Sequence, residues 1–308
     1  MRTALLQHPD AARHVMQPRH PESPERIEAV LARLEASGLA ADLLRQEPAA
    51  PATDEDLARV HPSEHLALLE RQEPCSGLLA LDADTFMGPG TLTAARAAAG
   101  TAVAAVDGVF EGVFERAFCA VRPPGHHAET RIAMGFCFFN SVAVAARRAL
   151  DVHGIERVAI LDFDVHHGNG TVEVFREDPR VLVCSSFQHP YYPNRMTEPV
   201  AEHLVFTPLA AGTGSTAFRQ AIERDWTPAL DAHRPELILV SAGFDAHRDD
   251  PLGGLALTCD DFRWVTELIS DAARRHANDR IVALLEGGYD LEALADCVET
   301  HIAALAAR

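Results

Sequence analysis

Residues 159–171 read AILDFDVHHGNGT, an apolar run that leads directly into a dense group of polar side chains. The aliphatic and β-branched residues at its start are typical of a buried strand. The polar residues that follow include Asp162, Asp164, His166 and Asn169. Burying such groups costs free energy unless they are paired or bind a ligand. The segment therefore predicts a central strand whose carboxyl end holds a ligand.

Similar apolar runs recur along the chain and alternate with amphipathic segments. The runs FCAV, RVAILDF, RVLVCSS, ELILVSA and RIVALLE occupy residues 118–121, 157–163, 180–186, 236–242 and 280–286. Helical patterns occupy residues 140–151, 215–233, 260–277 and 290–306, and residues 1–100 read as mostly helical. This alternation predicts repeated βα units that build a parallel sheet with helices on both faces, an α/β fold.

Composition narrows the class of protein. The 308 residues are 47% hydrophobic and contain no Gly/Ser-rich linker, so we expect one domain over residues 1–308. The 27 Lys and Arg against 45 Asp and Glu would repel a phosphate backbone, so no nucleic-acid partner is expected. No apolar run approaches the roughly 18 residues of a membrane span, and no secretion signal begins the chain. The oligomeric state stays open between a monomer and a homo-oligomer.

The six cysteines have no paired spacing. This pattern argues against a disulfide framework and against a cysteine-ligated zinc. We therefore expect free thiols and a cytoplasmic location.

Polar clusters follow three of the predicted strands, where the sequence reads DFDVHHGN, GFDAHRDDP and EGGYD. Ligands bind at the carboxyl ends of the strands in open α/β sheets, so these clusters are expected to form one site. Asp162, Asp164 and His166 are spaced by two residues, which would point them to the same side of an extended segment. Carboxylate oxygens with an imidazole nitrogen suit a divalent metal, and Asp245 is the expected third protein ligand. Three ligands with a vacant position are typical of a catalytic site.

Two further groups could assist such a metal. His126 and His127 follow a strand and a Pro-Pro-Gly turn, and an irregular loop can aim both rings at one small volume. Tyr289 follows two glycines at another strand end, where its phenol could donate to an oxyanion. Packing inside the core is the alternative role for each of these rings.

Taken together, the motifs resemble the histone deacetylase family, including its bacterial amidohydrolase and acetoin-utilisation members. RPPGHHA, MGFCFFNSVAVAA, DFDVHHGNGT, SAGFDAH with DPLGG, and EGGYD occur in the family order. The similarity runs from HPESPERIEAV, which begins at residue 20, to EGGYDLEAL near the end of the chain. The asparagine in HHGNG is similar to class II members. The resemblance implies a single arginase-deacetylase domain with a central parallel sheet of eight strands.

The resemblance also assigns site residues by motif. Zinc, or ferrous iron in its place, is expected on Asp164, His166 and Asp245. A structural K⁺ or Na⁺ is expected on Asp162, the Ser185 hydroxyl and main-chain oxygens of Asp164, His166 and Ser186. The tunnel for the acyl-lysine side chain is expected from Gly135, Phe136, Tyr192 and Leu252, with Gly287 and Gly288.

The resemblance implies different charges for the two histidines. His126 is expected to pair with Asp162, whose negative charge raises an imidazole pKa, and so to be the charged partner. His127 is expected to pair with the neutral Asn169 and to act as the general base that later protonates the leaving amine. Tyr289 matches the family tyrosine that polarises the scissile carbonyl.

The implied function is metal-dependent hydrolysis, through a metal-activated water, of an acetyl or short acyl group on the ε-amine of lysine or a related amine. An acyl-lysine protein or peptide, or a small acylated amine, is the expected partner. Leu252 stands where polyamine-selective relatives carry an acidic residue, which favours acyl-lysine as the substrate, whereas the net charge of −18 keeps acetylpolyamines open as an alternative.

The sequence departs from the family pattern at two places. Phe187 replaces a common histidine, and residues 194–199 read NRMTEP after YYP, where the family usually has Gly-Thr-Gly. Both departures bear on substrate preference.

Two rival functions remain. A binuclear manganese ureohydrolase shares this fold, but it needs further carboxylates, and His247 stands where that pattern requires Asp. A binding module that holds acyl-lysine without turnover would need neither a base nor an oxyanion donor. The chain contains residues for both roles, which favours an enzyme.

Overall fold

A computed structural model of the protein describes residues 2–46 and 48–307. Its strands are β1 (Thr3–Gln7), β2 (Leu44–Arg45), β3 (Leu79–Ala80), β4 (Phe86–Met87), β5 (Arg116–Ala120), β6 (Val158–Asp162), β7 (Val181–Gln188), β8 (Leu204–Leu209), β9 (Leu237–Ala242) and β10 (Ile281–Leu285). Eight of them form one sheet in the order β2-β1-β5-β10-β9-β6-β7-β8, with every neighbouring pair parallel. Strands β3 and β4 pair antiparallel beside it.

Helices cover both faces of the sheet. They are α1 (Glu25–Ser37), α2 (Asp54–Ala58), α3 (Ser63–Gln72), α4 (Thr91–Phe110), α5 (Ser141–Asp151), α6 (Asn169–Phe175), α7 (Ser215–His233), α8 (Cys259–His276) and α9 (Leu291–Ala306). Helices α4 and α5 pack on one face, and α1, α7, α8 and α9 pack on the other. None of the helices in the described part of the chain is both long and apolar enough to cross a membrane.

The two faces of each central strand join different hydrophobic clusters. In β6, Val158 and Ile160 pack with α4 and α5, whereas Ala159 and Leu161 pack with the helices on the opposite face. This follows from the two-residue side-chain period of a strand. Because both faces are buried, the strand is a continuous apolar run, and only its carboxyl end accommodates polar residues.

The predicted α/β fold is confirmed, and all five predicted strands lie in the sheet within two residues of their expected limits. Strands β1, β2 and β8 were not predicted from the pattern. Strand β1 lies in the part of the chain that was read as helical, and β2 has only two residues. Strand β8 lies at the sheet edge, is only partly buried and contains Pro208, which an edge strand tolerates.

The expectation of free thiols throughout is wrong for two of the six cysteines. Cys259, the first residue of α8, forms a disulfide with Cys297 in α9. The two residues are 38 positions apart, so their spacing carries no signal, but the packing of α8 against α9 brings their Cα atoms to 4.6 Å. The cysteines that remain free are Cys75, Cys119, Cys137 and Cys184. The cysteine pattern therefore no longer supports the expected cytoplasmic location.

Opening this disulfide is expected to lower the free energy of unfolding by roughly 3–4 kcal/mol, because the closed loop regains conformational freedom in the unfolded chain. Urea unfolding of the oxidised protein and of Cys297→Ala measures the difference. Cys75→Ala, which removes an exposed free thiol, is the matched control and should leave the midpoint unchanged. Equal midpoints for Cys297→Ala and the oxidised protein would contradict the prediction.

Candidate functional site

The candidate site lies at the carboxyl edge of the sheet, where four neighbouring strands end. The order β5-β10-β9-β6 places the loops after these strands side by side. The loop after β5 carries His126 and His127, the loop after β6 carries Asp164 and His166, the loop after β9 carries Asp245, and the loop after β10 carries Tyr289. The expected convergence of polar clusters is therefore present.

Asp164, His166 and Asp245 form a compact buried group of potential metal ligands. One ligand atom of each lies within 4.8 Å of the other two. Nδ1 of His166 lies 3.0 Å from Oδ1 of Asp164 and 3.0 Å from Oδ2 of Asp245. The N–H of Val165 donates to Oδ1 of Asp245 at 2.8 Å, and the N–H of Gly287 donates to Oδ2 of Asp164 at 2.8 Å. These backbone donors hold both carboxylates in place.

This group fits a divalent cation. Two buried carboxylates face a single imidazole nitrogen, which can donate only one hydrogen bond, so negative charge remains uncompensated. Burial by itself would lower the pKa of His166, but Asp164 and Asp245 raise it well above its usual value. A Cβ at Gly287 would lie 2.6 Å from Oδ2 of Asp164, so glycine is needed to leave room beside the ligands. Two oxygens and one nitrogen suit zinc or ferrous iron.

The local conformation differs from the extended segment expected for residues 162–166. Only Asp162 belongs to β6, and Asp164 and His166 lie in the bent loop that follows. Oδ1 of Asp162 accepts from the N–H of Asp164 at 3.1 Å, and Oδ1 of Asp164 accepts from the N–H of His166 at 2.8 Å. Each aspartate thus bonds the backbone two residues on, a preference of short acidic side chains that curls the chain. Asp162 consequently stands apart from the three ligands.

The tandem histidines lie together but have different partners. Their ring centroids are 4.0 Å apart. Nδ1 of His126 lies 2.9 Å from Oδ2 of Asp162, and Nδ1 of His127 lies 2.8 Å from Oδ1 of Asn169. All four side chains are buried. One histidine therefore faces a carboxylate and the other a neutral amide.

These surroundings shift the two imidazole pKa values in opposite directions. Burial would lower the pKa of His126, but the charges of Asp162 and Asp164 raise it to about 10. Burial, together with neighbouring His126 and His166, holds the pKa of His127 well below its usual value. At neutral pH His126 is therefore charged and His127 is neutral.

A cavity of 330 Å³ opens onto this group. Of the residues expected in the site, its wall contains His127, Gly135, Phe136, His166, Tyr192, Leu252 and Tyr289. Gly287 and Gly288, which were expected in the tunnel, do not line it. Gly287 lies behind the metal ligands, and Gly288 lies against Leu294 and Phe244. Their small size serves close packing there, because a Cβ on either would clash.

The cavity wall also contains four residues that the sequence analysis did not identify, namely His20, Pro21, Asp84 and Tyr191. The His20 ring lies edge-on to Phe136 with centroids 4.8 Å apart, and Tyr191 stacks on His166 at 5.5 Å. His20 and Pro21 begin the stretch HPESPERIEAV, so the family resemblance carried a signal for them. Asp84 belongs to no motif, and only the fold brings it to the wall.

Tyr289 is held by residues that sequence reasoning also missed. Oδ2 of Asp250 accepts from its N–H at 2.6 Å. The buried guanidinium of Arg26 lies 4.9 Å from the ring centroid and donates to the carbonyls of Glu286 and Gly288 on either side of the turn. Burial raises the pKa of Tyr289 well above its usual value, so the phenol stays protonated and can donate.

A buried carboxylate also supports the histidine pair. Oε2 of Glu286 accepts from the N–H of Gly125 at 2.7 Å and from the N–H of His126 at 3.1 Å. Glu286 is the first residue of the EGGYD motif and directly precedes its two glycines. These two hydrogen bonds connect the loop after β5 to the loop after β10.

The residues expected to bind a monovalent cation lie on adjacent strands. Asp162 pairs in register with Ser185 of β7, and both are buried, as is Ser186. The Ser185 hydroxyl lies 3.0 Å from Nδ1 of His167. The K⁺ or Na⁺ site stays a prediction.

Comparison with known proteins places this site in context. The family model described as histone deacetylase domain matches residues 20–305. The solved structure of the HDA15 HD domain superimposes with a TM-score of 0.92 at 32% identity, covering 99% of this chain and 88% of that one.

Similar curated proteins bear consistent names. The chain is 44% identical over 278 residues to a histone deacetylase-like amidohydrolase of Pseudomonas aeruginosa, covering 88% of this chain and 72% of that protein. It is 36% identical to a probable deacetylase of Archaeoglobus fulgidus, covering 95% of this chain and 82% of that protein. It is also 36% identical to polyamine deacetylase HDAC10 of Mus musculus, covering 97% of this chain and 47% of that protein. With the family motifs on the loops of one site, the chain belongs to the histone deacetylase family.

Proposed function

We propose that the protein is a zinc-dependent amidohydrolase that removes an acetyl or short acyl group from the ε-amine of lysine or from a related amine. The observation that carries this proposal is the buried group of Asp164, His166 and Asp245 beside a cavity whose wall includes His127 and Tyr289. Amide hydrolysis requires an activated water, a proton acceptor and a donor to the oxyanion, and these residues can supply each of them.

Each residue has a distinct part in this chemistry. Zinc bound to its three ligands would supply a Lewis acid for the carbonyl and the attacking water. Asn169 accepts from Nδ1 of His127, which leaves Nε2 free to take a proton and to return it to the leaving amine. The positive charge on His126 opposes the negative charge that develops during attack, and the Tyr289 phenol donates to the oxyanion.

The cavity suits a linear acylated amine. Phe136, Tyr192 and Leu252 provide rings and an aliphatic side chain against which methylene groups can pack. Its volume of 330 Å³ is at the lower end of the roughly 300–1,000 Å³ typical of small-molecule sites. The metal-binding group lies beside it, where the acyl end of such a substrate would bind.

Acetylpolyamines are a second candidate substrate class, which Asp84 favours. The Asp84 side chain lines the cavity, and the backbone N–H of Asp84 donates to Oδ1 of Asp82. The two acidic side chains also contact each other. Burial, with Asp82 nearby, raises the pKa of Asp84 to about 6, and a substrate ammonium would favour its charged form. A relative at 36% identity is named a polyamine deacetylase. Leu252 offers no second carboxylate, so we rank acyl-lysine first.

Zinc-loaded protein is expected to cleave an acetyl-lysine peptide in preference to acetylputrescine at equal concentrations. Initial rates on both substrates measure the preference. Leu252→Glu should shift the ratio of rates toward acetylputrescine by about fivefold or more, because it adds a charge partner for the second amine. Preference of the unmodified protein for acetylputrescine would reverse our ranking. Turnover of neither substrate would revive the binding-module alternative or indicate a different acyl group.

Tyr289→Phe is expected to lower kcat on the acetyl-lysine peptide by about a hundredfold or more and to change KM little. The variant loses the hydroxyl but keeps the aromatic ring, its packing on Arg26 and the backbone hydrogen bond to Asp250. Steady-state kinetics separate the two constants. Tyr191→Phe is a matched control because Tyr191 lies in the same cavity wall. The hydroxyl that it removes donates to the carbonyl of Leu252. Equal kcat losses in the two variants would contradict the oxyanion role.

The two rival functions receive less support. Asp164, His166 and Asp245 supply two carboxylates and one histidine, which suits one metal rather than two. A second group of potential ligands, His247 with Cys259 and Cys297, has both sulfurs in the disulfide. A binding module would not need the pairing of His127 with Asn169 or a protonated Tyr289. The bound K⁺ or Na⁺ and the cytoplasmic location stay predictions from the sequence.

A further inference from the structure

The rim loop, residues 194–199, departs from the family pattern and reaches the support of His127. One guanidinium nitrogen of Arg195 donates to Oε2 of Glu129 at 3.1 Å. The side chain of Glu129 is 5% exposed, whereas that of Arg195 is 41% exposed. The carbonyl of Met196 lies 3.0 Å from Nε2 of His167, which anchors the same loop at a second point. The loop is thus tied to the site at two adjacent residues.

Glu129 connects Arg195 to the proposed general base through Asn169. Nδ2 of Asn169 donates to Oε1 of Glu129 at 2.7 Å, and Oδ1 of Asn169 lies 2.8 Å from Nδ1 of His127. Asn169, Glu129 and His127 are all buried. A continuous chain of hydrogen bonds therefore runs from the rim loop to His127.

Glu129 is the nearest of three acceptors that set the direction of these bonds. Nδ2 of Asn169 lies 2.7 Å from Oε1 of Glu129, compared with 3.4 Å from the carbonyl oxygen of His127 and 3.5 Å from the sulfur of Met134. The two ends of an amide have nearly the same shape, and only their partners distinguish them. An ionised carboxylate can only accept hydrogen bonds, so the amide nitrogen of Asn169 must face Glu129 and the amide oxygen must face His127. That oxygen in turn requires the proton of neutral His127 to sit on Nδ1. The lone pair then lies on Nε2, where a base needs it.

The opposite amide orientation would disable the base. With the amide nitrogen facing His127, Nδ1 would have to accept and the proton would move to Nε2. A neutral Glu129 could tolerate that arrangement, because its hydroxyl could donate to the amide oxygen. Burial raises the pKa of Glu129 above its usual value. Asn169 and the charge of Arg195 act in the opposite direction, so Arg195 favours the ionised form. Glu173 is the neighbouring group that opposes Arg195.

We propose, on the basis of the proposed function, that Glu129 and Arg195 are positioning residues for His127. Glu129 fixes the orientation of Asn169 and thereby the tautomer of His127, and Arg195 holds Glu129 from the rim loop. The unusual rim loop is thus coupled to proton transfer and not only to substrate preference.

Kinetics of the zinc-loaded full-length protein on the acetyl-lysine peptide test this proposal. Glu129→Gln, which can donate as well as accept, is expected to lower kcat by roughly 10- to 100-fold with KM nearly unchanged. Arg195→Met is expected to lower kcat by a smaller factor, and Arg195→Lys should restore most of it. Arg176→Met is the matched control, since Arg176 is exposed and lies in the wall of a groove beside the same loop. A kcat for Glu129→Gln within twofold of the unmodified protein would overturn the proposal.

A second measurement does not depend on turnover. Two-dimensional ¹H–¹⁵N spectra of protein with ¹⁵N-labelled histidine distinguish protonated from unprotonated ring nitrogens, and the His127 signals are assigned by their loss in His127→Ala. The unmodified protein should show a proton on Nδ1, and Glu129→Gln should show Nε2–H or a mixture. An unchanged tautomer in Glu129→Gln would overturn the proposal. A tautomer change in a protein that cleaves neither substrate would support the positioning role while counting against deacetylation of these substrates.

Discussion

Replacing Asp245 with asparagine is expected to remove bound zinc and to lower hydrolysis of the acetyl-lysine peptide by about a thousandfold or more. Metal activation of the carbonyl and water is worth several kcal/mol, and about 1.4 kcal/mol corresponds to each factor of ten. The variant removes one of two carboxylate charges from a group with a single imidazole. Metal content per chain after dialysis and the peptide rate measure the two effects separately.

Asp249→Asn is the matched control for this variant. It makes the same chemical change four residues further along the same loop, at an exposed side chain whose Oδ2 lies 3.6 Å from Nδ1 of His247. It should bind zinc and turn over normally. In addition, zinc should raise the melting temperature of the control but not of Asp245→Asn, because a ligand stabilises only a protein that binds it. One zinc per chain in Asp245→Asn would show that Asp245 is not a ligand.

His127→Ala is expected to lower kcat by between about a hundredfold and ten thousandfold, the usual contribution of a positioned acid–base group. A base acts only when unprotonated, so the rate falls as pH drops through its pKa. Burial and the charge of neighbouring His126 place the pKa of His127 well below its usual value, so that fall should occur well below the usual range for histidine. The residual activity of His127→Ala should not show this fall in rate at low pH. The dependence of kcat on pH measures both effects.

His276→Ala serves as a control for the histidine variant. This ring ends α8 and bonds Asp231 on the surface, so its loss should leave both the rate and the pH profile unchanged. Zinc content of His127→Ala should also stay normal, because His127 is not one of the three ligands. An acid-side fall that persists in His127→Ala would assign it to another group and contradict the role of His127.

Much of the fold could be predicted because the central strands are buried on both faces. Strand β6 is a continuous apolar run that ends in Asp162, and the same pattern marks β9 and β10. The peripheral strands carry weaker signals, since β2 has two residues and β8 is partly exposed. Their pairing depends on neighbours far along the chain, which local periodicity does not report.

The residues of the candidate site also fall into two groups, those that the sequence identified and those that only the structure revealed. The ligands, the histidine pair and Tyr289 belong to motifs in which polar residues follow an apolar strand, so the sequence identified them. Arg26 and Asp84 stand in a helix and a loop without such a pattern, and they reach the site only through long-range packing. Asp250 belongs to the polar cluster after β9, but only the fold shows that it accepts from the N–H of Tyr289. The disulfide between Cys259 and Cys297 has the same origin, because helix packing brings together two residues with no informative spacing.

The sequence by itself determined which residue types are available at the ends of the central strands, and hence the family and the chemistry that the site can support. Only the tertiary structure decided the partners that no motif gave: Arg195 of the rim loop holds Glu129, and Asp250 bonds the backbone of Tyr289. The physical reason is that side-chain chemistry is a local property, whereas the charge, tautomer and orientation of a buried group depend on the neighbours that folding brings within hydrogen-bond distance.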